Sequence, residues 1–176
     1  MPKDSAAPLN GLVLIGGRST RMNQDKSMIR YHSQPQVLHV AGLLREFCEL
    51  VAISRRQDQL NPTSFPSIAD QESGHGPIEG LLSAHRYRPE SAWLVVACDL
   101  PFVDKSTLSG LVNHRSLEVT AFVCNGNPEP LCAIYEPAGL SKLAKQASKG
   151  EFGLRTFIKR ADSNLLSLED SSLLQN

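Results

Sequence analysis

Short segments that are apolar throughout, each followed by a segment of helical periodicity, constrain this chain more than any other feature. The longest of them, Ala92–Cys98, holds only apolar residues and is closed by Asp99-Leu100-Pro101. A strand with no polar face must be covered on both sides, as happens when parallel strands are connected by helices. The pattern therefore predicts an α/β fold, a three-layer sandwich around a mostly parallel, Rossmann-like sheet.

The alternation of the two kinds of segment continues along the chain. We predict strands over Leu12–Ile15, Leu50–Ile53, Pro66–Ala69, Trp93–Cys98, Val119–Val123 and Leu131–Tyr135. We predict helices over Gln36–Cys48, Ile78–Tyr87, Pro137–Ser148 and Phe152–Arg160, and one that starts after an N-cap at Asp104. In such sheets, ligands bind beyond the carboxyl ends of the strands.

Length and charge limit the possible functions. The chain has 176 residues, which suits a single domain over residues 1–176, and it carries 18 basic and 18 acidic residues. A net charge of zero argues against a nucleic acid or an anionic membrane as partner. No apolar run is long enough to cross a bilayer and no secretory signal is visible, so we expect the cytoplasm. The spacing of the cysteines and histidines does not match a zinc site.

A glycine-rich, basic loop follows the first predicted strand. Gly16-Gly17 let the backbone approach a ligand with its N–H groups, and Arg18, Arg21 and Lys26 add positive charge. Free amides combined with several cations suit a polyphosphate. The loop matches neither the Walker A pattern nor GxGxxG, and a plain strand-to-helix turn with solvated arginines is the alternative.

Two aspartates stand where predicted strands end. Asp99 directly follows the apolar run and is well placed to hold Mg²⁺ against phosphate oxygens, although an aspartate that starts a turn into Pro101 would look the same. Asp70 follows a shorter strand and precedes a loop that contains glycine. We expect His75, in that loop, to be an exposed histidine without a catalytic role.

Four stretches together resemble a known family, the MobA-type molybdenum cofactor guanylyltransferases and their nucleotidyltransferase relatives. The first and most diagnostic, Leu14–Met22 followed by Asp25-Lys26, is similar to the family signature LAGGxSxRMGxDK. The other three occur in the family order: Ile68-Ala69-Asp70 with Gly76–Gly80, then Val96–Phe102, then Glu129–Tyr135. The resemblance implies a fold of the nucleotide-diphospho-sugar transferase type.

The resemblance also implies a reaction and roles for individual residues. Members join GMP from GTP to the terminal phosphate of molybdopterin that carries molybdenum, and they release pyrophosphate. Asp99 would bind Mg²⁺ and act with Arg21 and Lys26 in catalysis, the two cations holding the phosphates. The nucleotide would also contact a further set of residues: Leu14, Ile15, Gly16, Gly17, Ser54 and Asp70. Transient contacts with the enzymes that make or receive the cofactor would follow.

The sequence departs from the family pattern at two places. Asn23 stands at a position that is usually glycine, and the chain ends at Asn176, where the family has an Asn-x-Asn-Thr-Pro-like segment. We expect the extreme C-terminal segment to be lacking. Two other functions stay open: a cytidylyltransferase or sugar-phosphate nucleotidyltransferase of the same fold, and a non-catalytic homologue that binds a nucleotide or pterin.

Overall fold

A single seven-stranded sheet organises the computed structural model, which describes residues 6–15, 34–71, 74–168 and 171–174. The strands are β1 (Leu9–Leu14), β2 (Val51–Arg55), β3 (Ser67–Ala69), β4 (Ala92–Ala97), β5 (Val119–Cys124), β6 (Asn127–Tyr135) and β7 (Ser163–Ser167). The helices are α1 (Gln36–Leu44), α2 (Ile78–Tyr87), α3 (Lys105–Asn113), α4 (Pro137–Ala147) and α5 (Leu154–Arg160). The strands lie side by side in the order β3-β2-β1-β4-β6-β5-β7.

The sheet is mostly parallel, as predicted, with one strand reversed. β1 pairs in parallel with β2 and β4, β2 with β3, and β5 with β7. β6 runs antiparallel to both of its neighbours, β4 and β5. The reversal follows from a tight hairpin, in which Asn125 and Gly126 both have positive φ angles, 51° and 75°. The continuous burial of a strand carries no information about its direction, so the apolar pattern did not reveal this reversal.

Helices cover both faces of the sheet. All six residues of β4 are buried, and successive side chains of a strand point to opposite faces, so neither face of this strand meets solvent. Close packing sets the position of α1, because a Cβ at Gly11 would lie 3.0 Å from the Leu44 Cβ. Among the described residues, no helix is long and apolar enough to span a membrane.

The observed boundaries differ from the predicted ones where packing is not visible in the local pattern. β1 begins at Leu9 because Leu9-Asn10-Gly11 pairs with β4, and β7 was not predicted at all. β7 is an edge strand of mixed polarity with no fully buried residue, so it lacks a clear apolar signal. The predicted N-cap of α3 is confirmed, since an Asp104 carboxylate oxygen accepts the Thr107 N–H at 2.8 Å.

Candidate functional site

The strand directions bring several polar side chains to one edge of the sheet. Because β1 to β4 are parallel, Ile15, Ser54, Asp70 and Asp99 all lie at or just beyond the carboxyl ends of their strands. The antiparallel strand β6 begins at this same edge and brings Glu129 to it. Four strands, β2, β3, β4 and β6, therefore supply the polar side chains of one surface, beside the end of β1.

The glycine-rich loop belongs to this edge by its sequence position, directly after Ile15. Gly16, Gly17, Arg21 and Lys26 lie outside the described residues, and their assigned roles stay predictions. The two residues before the loop are described. Leu14 ends β1, and the Ile15 N–H donates to the Ser54 carbonyl oxygen at 3.2 Å, which ties the start of the loop to β2.

Ser54 and Asp70, which the resemblance assigns separately to the nucleotide, form a pair in the structure. The Ser54 hydroxyl donates to Asp70 Oδ1 at 3.2 Å. Burial raises the pKa of Asp70 to about 6, the hydrogen bond from Ser54 lowers it, and the negative charge of Glu79 raises it. A carboxylate in these surroundings gains from contact with donors on a ligand, because its own environment supplies only one short-range hydrogen-bond donor in the described residues.

Gly80 explains how α2 comes so close to this pair. A Cβ on Gly80 would lie 2.3 Å from the Ser54 hydroxyl oxygen and 2.9 Å from a Leu14 methyl carbon. A Cβ fits there only if the Ser54 hydroxyl and the Leu14 side chain move, so glycine is what allows α2 to come this close. Leu14, Ser54, Asp70 and Gly80 therefore form one compact unit, which we call the β1–β3 cluster.

A cleft of about 810 Å³ opens beside this cluster, and Asp99 lies in its wall. The start of β6 and the segment around the start of α5 also line the cleft, with Glu129, Phe152 and Arg155. The volume falls in the range of small-molecule sites. Its described lining includes Asp99 and none of the β1–β3 cluster, so the two groups mark neighbouring parts of one edge.

The separation of the two parts follows from strand order. β3, which precedes Asp70, is three strand positions from β4, which precedes Asp99, or roughly 14 Å at the usual spacing between strands. The structure therefore brings Ser54 and Asp70 together and places Asp99 apart from them. Leu14 lies between the two parts, because its carbonyl oxygen accepts the Cys98 N–H at 3.1 Å. An extended ligand that reaches from the β1–β3 cluster to the cleft would meet both.

Glu129 is a cleft carboxylate to which sequence reasoning gave no role. Its Oε1 accepts the Leu131 N–H at 2.9 Å, and its Oε2 lies 3.8 Å from the Arg155 guanidinium. Burial raises the pKa of Glu129, the Leu131 N–H and Arg155 lower it, and Asp99 raises it. Asp99 and Glu129 are two carboxylates close enough to interact in one cleft, a setting that favours a cation. The sequence signal that could have pointed to Glu129 was its position at the start of Glu129–Tyr135, one of the stretches that resemble the family.

His75 is less isolated than expected of an exposed loop residue. Its Nδ1 lies 2.6 Å from Glu79 Oε1, and its ring stacks on Phe152 with centroids 3.7 Å apart and planes inclined by 20°. About one third of its side-chain surface is exposed, whereas Glu79 is almost completely buried. The GPIEG stretch contains Glu79, four residues after His75, and this i,i+4 spacing was the signal that could have revealed the pair.

Within the described residues, no cluster of three or more histidine, cysteine, aspartate or glutamate side chains forms a ready metal cage. Mg²⁺ does not require one, because it binds through one or two carboxylates together with water and substrate phosphates. Asp99, with Glu129 in the same cleft, supplies donors of the oxygen type that Mg²⁺ prefers. The residues present therefore fit a magnesium ion that arrives with a phosphate ligand.

Sequence comparison finds relatives over most of the chain. The model of the "MobA-like NTP transferase domain" family matches residues 11–165. A "Molybdenum cofactor biosynthesis bifunctional protein" of Synechocystis is 34% identical over 92% of this chain and 49% of that protein. This chain thus spans about half the length of that relative. A "Molybdenum cofactor guanylyltransferase" of Pseudomonas entomophila is 32% identical over 82% of this chain and 78% of its own.

Comparison with solved structures supports the fold. The molybdopterin-guanine dinucleotide biosynthesis protein A of Archaeoglobus fulgidus superimposes with a TM-score of 0.74 over 91% of this chain and 84% of its own, at 21% sequence identity. At this identity the likeness concerns the fold: a mostly parallel sheet with helices on its faces.

Proposed function

The chain belongs to the family of MobA-like NTP transferase domains, and from that premise we propose that it is a guanylyltransferase of molybdenum cofactor synthesis. It would transfer GMP from GTP to the terminal phosphate of molybdopterin, which acts as substrate, and release pyrophosphate. The observation that carries the proposal is the placement of Asp99 at the end of β4, in a cleft that adjoins the β1–β3 cluster. Relatives named for this activity add support.

The reaction needs no strong base. An oxygen of the acceptor phosphate, already anionic at neutral pH, attacks the α-phosphorus of GTP and forms the new P–O–P bond. The bond from the α-phosphorus to the bridging oxygen breaks, and its electron pair leaves with pyrophosphate. Atoms and charge balance without a further reactant. Catalysis of such a step consists of positioning and of neutralising charge that builds on the phosphates.

Asp99 is the residue that would hold Mg²⁺ in this reaction. Bound there, the ion would supply charge neutralisation at the phosphate oxygens. Asp99 itself contributes a carboxylate held at a fixed point of the cleft by the end of β4. Glu129 lies close enough for the charge of Asp99 to add to the rise in the pKa of Glu129, whose main cause is burial.

The other assigned residues would each contact a different part of the nucleotide. We propose that the backbone of Leu14, Ile15, Gly16 and Gly17 contacts GTP, and that Arg21 and Lys26 hold its phosphates. Ser54 and Asp70 would contact the nucleoside. Their mutual hydrogen bond orients the Asp70 carboxylate, and the exclusion of a side chain at Gly80 keeps this corner narrow.

Pyrophosphate release tests the proposal directly. The purified protein is incubated with Mg²⁺, molybdopterin that carries molybdenum, and GTP, CTP or ATP in parallel reactions. We expect pyrophosphate with GTP, and none when Mg²⁺ is chelated or the acceptor is omitted. Release with CTP alone would identify a cytidylyltransferase. Binding of GTP without release under any condition would identify a non-catalytic nucleotide-binding protein.

A further inference from the structure

The ring of His75 is fixed on two sides. Gly74 and Gly76, with φ angles of 109° and 79°, flank it in a loop conformation that residues with side chains rarely adopt. Glu79, in the first turn of α2, receives the Nδ1–H at 2.6 Å, and Phe152 stacks directly against the ring. This arrangement defines both the tautomer and the direction of the ring.

The hydrogen bond to Glu79 leaves Nε2 as the available ring nitrogen. His75 lines the cleft that contains Asp99, and within the described part of the chain Nε2 has no hydrogen-bond partner. When His75 is protonated, Nε2 carries a hydrogen and the ring a positive charge. The stack on Phe152 is compatible with that charge, because the face of an aromatic ring attracts cations.

The buried carboxylate of Glu79 lowers the stability of the fold, and packing alone does not require a carboxylate at this place. Its side chain is 3% exposed, and its Oε2 has no hydrogen-bond partner in the described structure. A buried carboxylate with one unsatisfied oxygen destabilises the fold unless a cation compensates it. His75, when protonated, supplies such a cation, and the start of α2 adds a partial positive charge. A carboxylate behind an imidazole keeps the ring oriented.

We propose that His75 contacts the phosphate monoester of the acceptor through Nε2, and that Glu79 is the positioning residue that orients its ring. The inference rests on the proposed function, since that function makes the acceptor a phosphate monoester. His75 comes from the chain segment after β3, and its stacking partner Phe152 precedes α5, so two segments far apart in sequence hold the ring at the cleft. His75, Asp99 and Glu129 line the same cleft, so a phosphate bound near the carboxylates and their metal ion would be within the cleft that Nε2 faces.

A phosphate titration tests the contact without any need for turnover. Protein labelled with ¹⁵N-histidine is titrated with inorganic phosphate, and the His75 signals are identified by their loss in His75→Asn. We expect the Nε2 signal of His75 to move and saturate, while the signal of His85, whose Nε2 contacts Ser141 on α4, stays in place. In Glu79→Gln the apparent phosphate affinity of His75 should fall at least fivefold. An unmoved Nε2 signal would overturn the inference.

GTP serves as the second ligand in this titration, because it also carries phosphate. With GTP and Mg²⁺ we expect a smaller movement of the His75 signal than with inorganic phosphate, because the proposed function assigns the GTP phosphates to Asp99, Arg21 and Lys26 and not to His75, although His75 and Asp99 line the same cleft. An equal response to GTP and to inorganic phosphate would assign the contact to the nucleotide and overturn the assignment to the acceptor.

Kinetics separate a contact with the acceptor from a purely structural role. Asparagine at position 75 can still donate to Glu79 but has no atom at the place of Nε2, whereas glutamine reaches that place. We expect His75→Asn to raise the KM for the acceptor about tenfold and leave the KM for GTP within twofold, and His75→Gln to recover part of the loss. His85→Asn is the matched control and should behave as the wild type.

The two proposals fail in different ways. An active wild-type enzyme whose His75→Asn variant keeps its acceptor KM would refute the role of His75 and leave guanylyl transfer intact. A wild-type protein that releases no pyrophosphate would refute guanylyl transfer, and the phosphate titration would still decide whether Nε2 binds a phosphate.

Discussion

At the sheet edge, the surroundings of a single residue can change how readily its side chain ionises, as Asp70 shows. Asp70 is half-buried, it accepts one hydrogen bond from Ser54, and it lies within the field of the buried Glu79. Its pKa of about 6 means that the protein tolerates the ionised form at a cost. A charged group that destabilises the fold and lies at the ligand-binding edge of a sheet is a candidate for a functional residue.

Replacing Asp70 should therefore stabilise the protein at neutral pH. The folded-state pKa of about 6 lies above the ordinary 3.8, so ionisation opposes folding, fully above pH 6 and progressively less toward pH 4. We expect Asp70→Asn to raise the free energy of unfolding at pH 7 by about 1 kcal/mol, a figure discounted for solvent screening. Urea denaturation at pH 4, 5, 6 and 7 measures it. A gain that does not shrink toward pH 4 would contradict the assigned cause.

Asp99 should affect turnover without affecting the fold. Asp99→Asn preserves the volume of the side chain and removes its charge, so the Mg²⁺-dependent rate of pyrophosphate release should fall by about 10²–10³-fold, as expected when one electrostatic contact to reacting phosphates is lost. The thermal unfolding midpoint should stay close to that of the wild type. Unchanged turnover in the variant would remove Asp99 from the proposed metal site.

Among the elements, α2 packs very close to the sheet. It approaches β1 and β2 so closely that the place of a Cβ at Gly80 is already taken by Ser54 and Leu14. The local sequence predicted the bounds of this helix correctly, Ile78–Tyr87. The approach depends on residues distant in sequence, so neither helical periodicity nor composition revealed why a glycine stands in its first turn.

Gly80→Ala should destabilise the protein although alanine favours helices. The displaced helix should cost about 1–3 kcal/mol, more than the gain of about 1 kcal/mol in helix propensity. Gly110→Ala in α3 is the matched control, because its Cβ would meet the Phe122 ring at an ordinary 3.5 Å. That variant should be neutral or slightly stabilised in urea denaturation. Equal effects of the two substitutions would show that packing at Gly80 is not limiting.

The sequence predicted strands that are buried along their whole length. It did not predict features that depend on contacts between residues far apart in sequence. The apolar run at Ala92–Cys98 predicted β4, which the structure contains. Asp99, at the end of this strand, lines the cleft. The reversal of β6 depends on positive φ angles at Asn125 and Gly126, and β7 is too polar to give an apolar signal. The bridge from His75 to Phe152 joins segments far apart in sequence, so no local pattern contains it.

At the scale of the whole molecule, Arg115 joins distant parts of the chain. Its guanidinium donates to both carboxylate oxygens of Glu136, at 2.8 and 2.9 Å, and to the Ala7 carbonyl oxygen at 2.9 Å. The pair is mostly buried, so its charges are shielded from solvent and depend on each other. Segments that precede β1, β5 and α4 meet at this one side chain.

Arg115→Ala should destabilise the whole domain. Removing the guanidinium leaves Glu136 buried without its cation, which costs about 3–5 kcal/mol. Arg160→Ala is the comparison, because Arg160 forms its 3.0 Å ion pair with Glu151 at an exposed position and should cost less than about 1 kcal/mol. Urea denaturation of both variants measures the difference. Similar losses would mean that burial does not govern the strength of these ion pairs.

The reversal of β6 has a consequence for how substrate preference can change. One rim of the cleft is encoded by the start of β6 and the segment before α5, in the second half of the chain, whereas the β1–β3 cluster is encoded entirely in the first half. Substitutions in either half can alter one binding surface without rebuilding the other. Chimaeras joined between β4 and β5 would therefore exchange the rim of the cleft that β6 and the segment before α5 supply, while the β1–β3 cluster, His75 and Asp99 stay with the part before β5.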